Sequence, residues 1–297
     1  MVMNSVKGDI LIAGGYQIRS VEIFSWKEEK WFNIASMENE HSYASSFIYN
    51  DNLFVVGGNE CTSIETLNFK QFPLTWRIFP AKLPYGFNGH QTVVSKQHIF
   101  LIGGYIVDKG PSDLISEITI TGTTSYVLKR LCHMPEPQDG HGAVVVDDKV
   151  LIFGGEEKDG KVLSSVLEFN PRTLTFKEMP PLPHPLNAMA TVRWRDQVVL
   201  LGGYDIEESL NSVIMYDNKT GKITVLPSML EKRTWCCAVI TGDTIVVMGG
   251  WDDKGEGLKS VECFKMGSSS SWTYLPSMNE PRYGAIAEIL PFGQNYL

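Results

Sequence analysis

The residues best suited to chemistry in this 297-residue chain stand at repeated positions. Directly after six Gly-Gly pairs come Tyr16, Asn59, Tyr105, Glu156, Tyr204 and Trp251. Four of these are aromatic rings with a polar edge, the side chains that dominate binding hot spots. Such rings either meet a partner or merely pack beside a central channel. Acids follow two of them, Asp205 and Asp252. Arg233 lies sixteen residues before the last glycine pair, and Arg282 holds the matching place in a final repeat-like segment. Two such guanidiniums could clamp a carboxylate bidentately. Alternatively, each could neutralise a nearby acid, Glu231 or Glu280.

Enzyme signatures are sparse. His90 and His141 each lie thirteen residues before a glycine pair, which invites a metal reading. Yet the chain has no H-E-x-x-H, no G-x-S-x-G and no zinc-type Cys/His spacing. The segment 252–256, Asp-Asp-Lys-Gly-Glu, lacks the alternating oxygen ligands and distant glutamate of a calcium loop. Neither glycine motif of a nucleotide-binding loop opens a helix. No metal or cofactor is expected.

The elements that position these residues follow from the glycines. The pairs begin at Gly14, Gly57, Gly103, Gly154, Gly202 and Gly249, a mean spacing of 47 residues. That period fits four short strands per repeat and a propeller, and it excludes solenoids of helical pairs. Each pair closes an apolar run such as ILIA, LFVV or VLIF, which reads as a strand covered on both faces. Two further anchors recur in phase. The first is Phe24, Leu67, Ile120, Phe169, Tyr216 and Phe264, and the second is Trp31, Trp76, Tyr126, Phe176, Ile223 and Trp272. They are expected as wedges between neighbouring sheets. Only thirteen residues precede Gly14, too few for a first strand, whereas residues 282–290 repeat the pattern that opens other repeats, such as 140–146. The sequence therefore predicts an all-β, six-bladed propeller with four antiparallel strands per blade. One domain over residues 1–297 is expected, with a C-terminal strand completing the first blade and protecting its edge.

Composition narrows the partners. Apolar residues make up 43% and charged residues 20%, enough for a packed core. A formal charge of −8 argues against nucleic acid and anionic membranes. The start has no signal-peptide pattern, and no apolar run approaches the ~18 residues of a membrane span, so a cytoplasmic protein is expected. Five cysteines without a C-x-x-C pair read as reduced thiols.

An apolar run, Gly-Gly, an aromatic and then a tryptophan six or seven residues on resembles the kelch repeat, over residues 8–291. Blade three departs at Ile120 and Tyr126, and blade five at Ile223. Closure by a C-terminal first strand resembles the kelch half of BTB-kelch proteins, which present substrates to Cullin-3 ubiquitin ligases. The resemblance implies that ligands meet the loops after the glycine pairs and those preceding each first strand. It also implies that Gly89-His90 and Gly140-His141 hold hydrogen-bonded core histidines. The loops 16–19, 59–62, 105–115, 156–164, 204–211 and 251–259 together carry a net charge of −6.

The expected function is a non-catalytic protein–protein interaction domain, a substrate-recognition module for a peptide or surface bearing Lys or Arg. The expected contacts are Tyr16, Tyr105, Tyr204, Asp205, Arg233, Trp251, Asp252 and Arg282. Cullin-3 would be reached only indirectly, through a BTB segment absent from this chain. The alternatives are a carbohydrate-acting enzyme of the sialic-acid mutarotase type, using Arg233, Arg282 and Glu156, or an actin-binding kelch protein.

Overall fold

Each glycine-terminated run becomes the second strand of a four-stranded antiparallel sheet, and six such sheets form the blades. A computed structural model describes residues 7–291 and Tyr296, and those residues contain no helix. Blade one joins Ile286–Ile289 from the C-terminal segment to Ile10–Ala13, Val21–Ser25 and Lys30–Ile34. Ile10 pairs with Ile289 and Ala13 with Ile286, so the tail completes the first blade as the sequence predicts. Blades two to six open at Ser45–Tyr49, Gln91–Ser95, Gly142–Val146, Ala190–Trp194 and Cys237–Thr241. These innermost strands touch one another in a closed circuit around the axis. One apolar core fills each of the six gaps between neighbouring blades.

The glycine pair is needed because backbone passes against backbone there. Gly249 has a φ of +61°, and a Cβ on it would lie 2.2 Å from the Arg282 carbonyl oxygen of the next blade. The second glycine donates its N–H across the same gap. Gly250 bonds to Arg282 (2.7 Å), Gly203 to Arg233 (2.8 Å) and Gly58 to Phe87 (2.7 Å). Neighbouring blades are thus joined at the residue sixteen positions before the next glycine pair.

The anchors pair directly across the two outer strands. Phe24 faces Trp31, Leu67 faces Trp76, Phe169 faces Phe176 and Tyr216 faces Ile223. In three blades a polar tip ties the blade to the one before it: Trp31 Nε1 donates to Pro276 O, Trp272 Nε1 to Pro227 O and Tyr216 Oη to Pro180 O. Blade three corrects the expected register. Ile118 and Leu128 occupy its anchor positions, because Ile99 pairs with Ile118 and Ile118 with Leu128. The outer strands, Leu114–Ile120 and Tyr126–His133, are longer than elsewhere and carry an irregularity at Ile115/Ser116. A two-residue slip keeps side chains on the same face, so the apolar pattern does not reveal it.

Candidate functional site

Fourteen residues before each glycine pair the chain turns into its innermost strand through a left-handed residue. These are Tyr43, Gly89, Gly140, Ala188 and Trp235, with Gly284 in the closing segment, all at φ between 52° and 62°. Each donates its N–H to the equivalent carbonyl of the blade before it, from Tyr43 N to Gly284 O (2.9 Å) round to Gly284 N to Trp235 O (2.9 Å). The six bonds form a continuous belt around the axis. Left-handed backbone costs a non-glycine residue roughly 1–2 kcal/mol, so Tyr43, Ala188 and Trp235 are held there by the belt. The two large side chains use the room that the glycines leave. A Cβ on Gly284 would meet Tyr43 Cδ1 at 2.6 Å, and Cβ atoms on Gly89 and Gly140 would meet Trp235 Cη2 at 3.4 and 3.3 Å. A cavity of about 70 Å³ is lined by the belt and by His90, His141, Met189 and Cys236.

The belt carries a cluster of five aromatic rings. Tyr43 and Trp235 meet edge to face with centroids 4.7 Å apart, Tyr16 stacks on Tyr283 at 5.2 Å, and Trp251 meets Tyr283 at 4.6 Å. Tyr43 lies 6.1 Å from both Tyr16 and Tyr283. All five rings remain partly accessible. Blade four presents carboxylates instead. Asp139 and Glu156 face each other across an antiparallel bridge, and Asn187 Nδ2 donates to Glu156 Oε2 at 2.7 Å. Burial, and then the Glu156 charge, push the Asp139 carboxyl up to about 7. The face therefore has an aromatic side over blades six, one and two and an acidic side at blade four.

The expected site residues divide into four groups. Tyr16 and Trp251 belong to the aromatic cluster. Tyr105 (39% accessible) and Tyr204 (36%) stand apart from it as exposed rings. Asp205 and Asp252 lie on the same loops, each with Oδ1 accepting two backbone N–H groups of its own turn. Arg233 and Arg282 do not fit the carboxylate-clamp expectation, because both are fully buried. Arg282 donates to Glu22 Oε1 at 2.9 Å, to the Gly14 and Ser20 carbonyls and to Ser20 Oγ. Arg233 repeats the set with Glu262 (2.7 Å), Gly249, Ser260 and Glu231 (2.8 Å). Every guanidinium edge is used internally, which leaves nothing for an incoming carboxylate. His90 and His141 are core residues, but their ring nitrogens have no hydrogen-bond partner. Burial pushes the rings down to about 4 and about 3, aided at His141 by the His90 charge and opposed by the Val56 and Gln138 backbones. Both imidazoles are neutral.

Sequence reasoning missed Tyr43, Trp235, Tyr283 and Asp139. The signal lay in the columns fourteen and fifteen residues before the glycine pairs, where Tyr43 and Trp235 stand in a column otherwise of glycine and alanine, and Asp139 and Tyr283 in one otherwise of small polar residues.

The KLHDC2/KLHL20/DRC7 Kelch-repeats domain matches residues 89–289, two thirds of the chain. Kelch-like protein 35 of Mus musculus is 25% identical over 233 residues, which is 76% of this chain and 38% of that protein. Kelch-like protein 40 of Xenopus laevis is 22% identical over 223 residues, 74% of this chain and 35% of that protein. Beta-scruin of Limulus polyphemus is 24% identical over 139 residues, 44% of this chain and 15% of that protein. In each case the match spans well under half of the relative's length. The solved structure of YjhT superposes with a TM-score of 0.71 at 16% identity, covering 83% of this chain and 87% of that one, and so shares its fold. The chain belongs to the kelch-repeat family.

Proposed function

We propose that this propeller is a non-catalytic recognition domain that binds a partner polypeptide on its Gly-Gly face and takes a Lys or Arg side chain there. The observation that carries this reading is the pairing of surfaces at the belt. Five accessible aromatic rings cover blades six, one and two, Trp235 reaches across the belt toward Gly140, and Asp139, Glu156 and a set of acidic loops complete the same face. An aromatic face and a carboxylate each attract a cation, and the attraction strengthens as water is excluded. Similarity to Kelch-like proteins supports the further reading that the domain selects substrates for a BTB-kelch Cullin-3 adaptor, and a cytoplasmic setting is part of the proposal. A carbohydrate-acting reading would have to rely on Glu156 and Asp139, since both arginines are consumed in the interior.

Selection from a random peptide library tests the reading. Lys- or Arg-containing peptides should be enriched on the native protein and lost on a Trp251→Ala/Tyr16→Ala/Asp139→Asn variant of unchanged melting temperature. Enrichment of acidic peptides, or retention by that variant, contradicts it.

A further inference from the structure

Three blades bury a cation in the same place, and each sets a second potential anion beside it. In blade six Arg233 meets Glu262 inside and Glu231 outside, and Glu231 also holds Ser260. In blade one Arg282 meets Glu22 inside and Glu280 outside at 3.6 Å, and Glu280 holds Ser20. The outer glutamate stands two residues before the arginine in both. Blade two has His41 as the cation and Glu65 as the inner acid, 3.2 Å away. Two residues before His41 stands Asn39, whose side-chain amide donates to Glu65 and carries no charge. The place beside the serine is taken by a thiol. Cys61 Sγ lies 2.9 Å from Ser63 Oγ, the counterpart of Ser20 and Ser260, and 3.9 Å from His41 Nδ1.

Comparison between blades thus puts a sulfur where two sister sites put a carboxylate. The imidazole is fixed on both sides, by Gly57 O at 2.6 Å and by Glu65. Burial alone would lower its affinity for a proton, but the thiol, Glu65 and the Gly57 carbonyl outweigh that and raise His41 to about 9. Burial would likewise raise the Cys61 thiol, yet the hydrogen bonds from His41 and Ser63 and the imidazolium charge draw it below its ordinary value. The contrast with other thiols is direct. Burial pushes Cys236 up to about 11 and raises Cys237 and Cys132 as well. Cys61 remains partly accessible, on the loop that follows Gly57-Gly58.

We propose that Cys61 is a covalent-modification site, a nucleophile on the Gly-Gly face that soft carbon electrophiles alkylate ahead of the other four cysteines. The thiolate sulfur adds to the β-carbon of an α,β-unsaturated carbonyl compound. A carbon–sulfur bond forms, the carbon–carbon π pair moves onto the carbonyl system, and the α-carbon takes a proton from solvent. No oxidant or reductant is involved. Thiolate fraction and not thiol content sets the rate of such a step, and lower basicity offsets only part of the gain.

N-ethylmaleimide, limiting and at about pH 6.5 where a free thiol is mostly protonated, supplies the probe, with site-resolved mass spectrometry of the native protein. Cys61 should be labelled about threefold or more faster than any other cysteine. His41→Gln, checked for a native fold by circular dichroism below its own melting temperature, should remove most of that advantage, and Cys61→Ser should abolish the fast adduct. Labelling of Cys61 no faster than Cys263 in the native protein would overturn the proposal without any variant. An undiminished rate in folded His41→Gln would overturn it too.

Discussion

The two halves of the ring solve one packing problem in opposite ways. In blades six, one and two, the position leading into the innermost strand holds Arg233, Arg282 or His41, each buried against Glu262, Glu22 or Glu65. In blades three, four and five the same position holds Phe87, Gln138 or Leu186, and the glutamate position holds Ser116, Leu167 or Ile214, all buried. The backbone does the same thing in both halves. Gly58 donates to Phe87 O, Gly104 to Gln138 O and Gly155 to Leu186 O, as Gly203 donates to Arg233 O and Gly250 to Arg282 O. The charged half adds bonds from the cation to its own glycine carbonyl: Gly249 O, Gly14 O and Gly57 O. Its glutamates also accept the N–H groups of the preceding turn, at Leu230, Asn279 and Glu38. Charged and uncharged residues occupy the same joint, Gln138 and Ser116 being polar members of the uncharged set, and in the ionic version the glutamate fixes its turn by directional bonds. The ionic half includes the blade where the chain's ends meet, and it lies beneath the aromatic cluster.

The sharpest way to break the comparison is to remove one cation. Arg282→Ala should cost about 3–5 kcal/mol in denaturant unfolding, because buried Glu22 loses its partner. A smaller loss of roughly 2–4 kcal/mol is expected from Leu186→Ala in the apolar half, the ordinary price of a core cavity. Transplanting blade five into blade one, as Arg282→Leu with Glu22→Ile, should recover most of the Arg282→Ala loss and end within about 2 kcal/mol of the native protein. Failure of the double variant to recover would show that the ionic joint is not exchangeable.

A further effect is one of pH. His41 is raised from 6.5 to about 9, so the folded state holds a proton that the unfolded chain releases near 6.5. Its stabilisation is complete below about 6.5 and is lost as pH rises toward 9. The melting temperature should therefore fall over that window, and His41→Gln should flatten the slope. An equally steep decline in the variant would assign it to other groups.

Much of this architecture was legible because its causes are local. Gly-Gly after an apolar run marks a strand that ends against foreign backbone, and Ile286–Ile289 repeats a pattern whose missing partner lies at the N-terminus. The blade-three register was hidden by strand symmetry, since Ile118 and Ile120 lie on one face. Arg282 was legible as a member of a recurring column, but a column gives phase and not depth. Its side chain turns inward because Glu22 waits there, 260 residues away in sequence. The belt escaped notice for a related reason. Tyr43, Ala188 and Trp235 adopt a glycine-like conformation that their identities disfavour, and only the closed ring of hydrogen bonds makes it affordable.

Binding of a basic side chain on the face between the aromatic cluster and the acidic rim can be measured by titrating a library-selected Lys- or Arg-containing peptide against the protein at rising salt. Affinity should weaken steadily with salt, and the salt dependence should shrink in a variant carrying Asp139→Asn, Glu156→Gln, Asp205→Asn and Asp252→Asn. Affinity that grows with salt, or a salt dependence identical in the variant, would contradict the account.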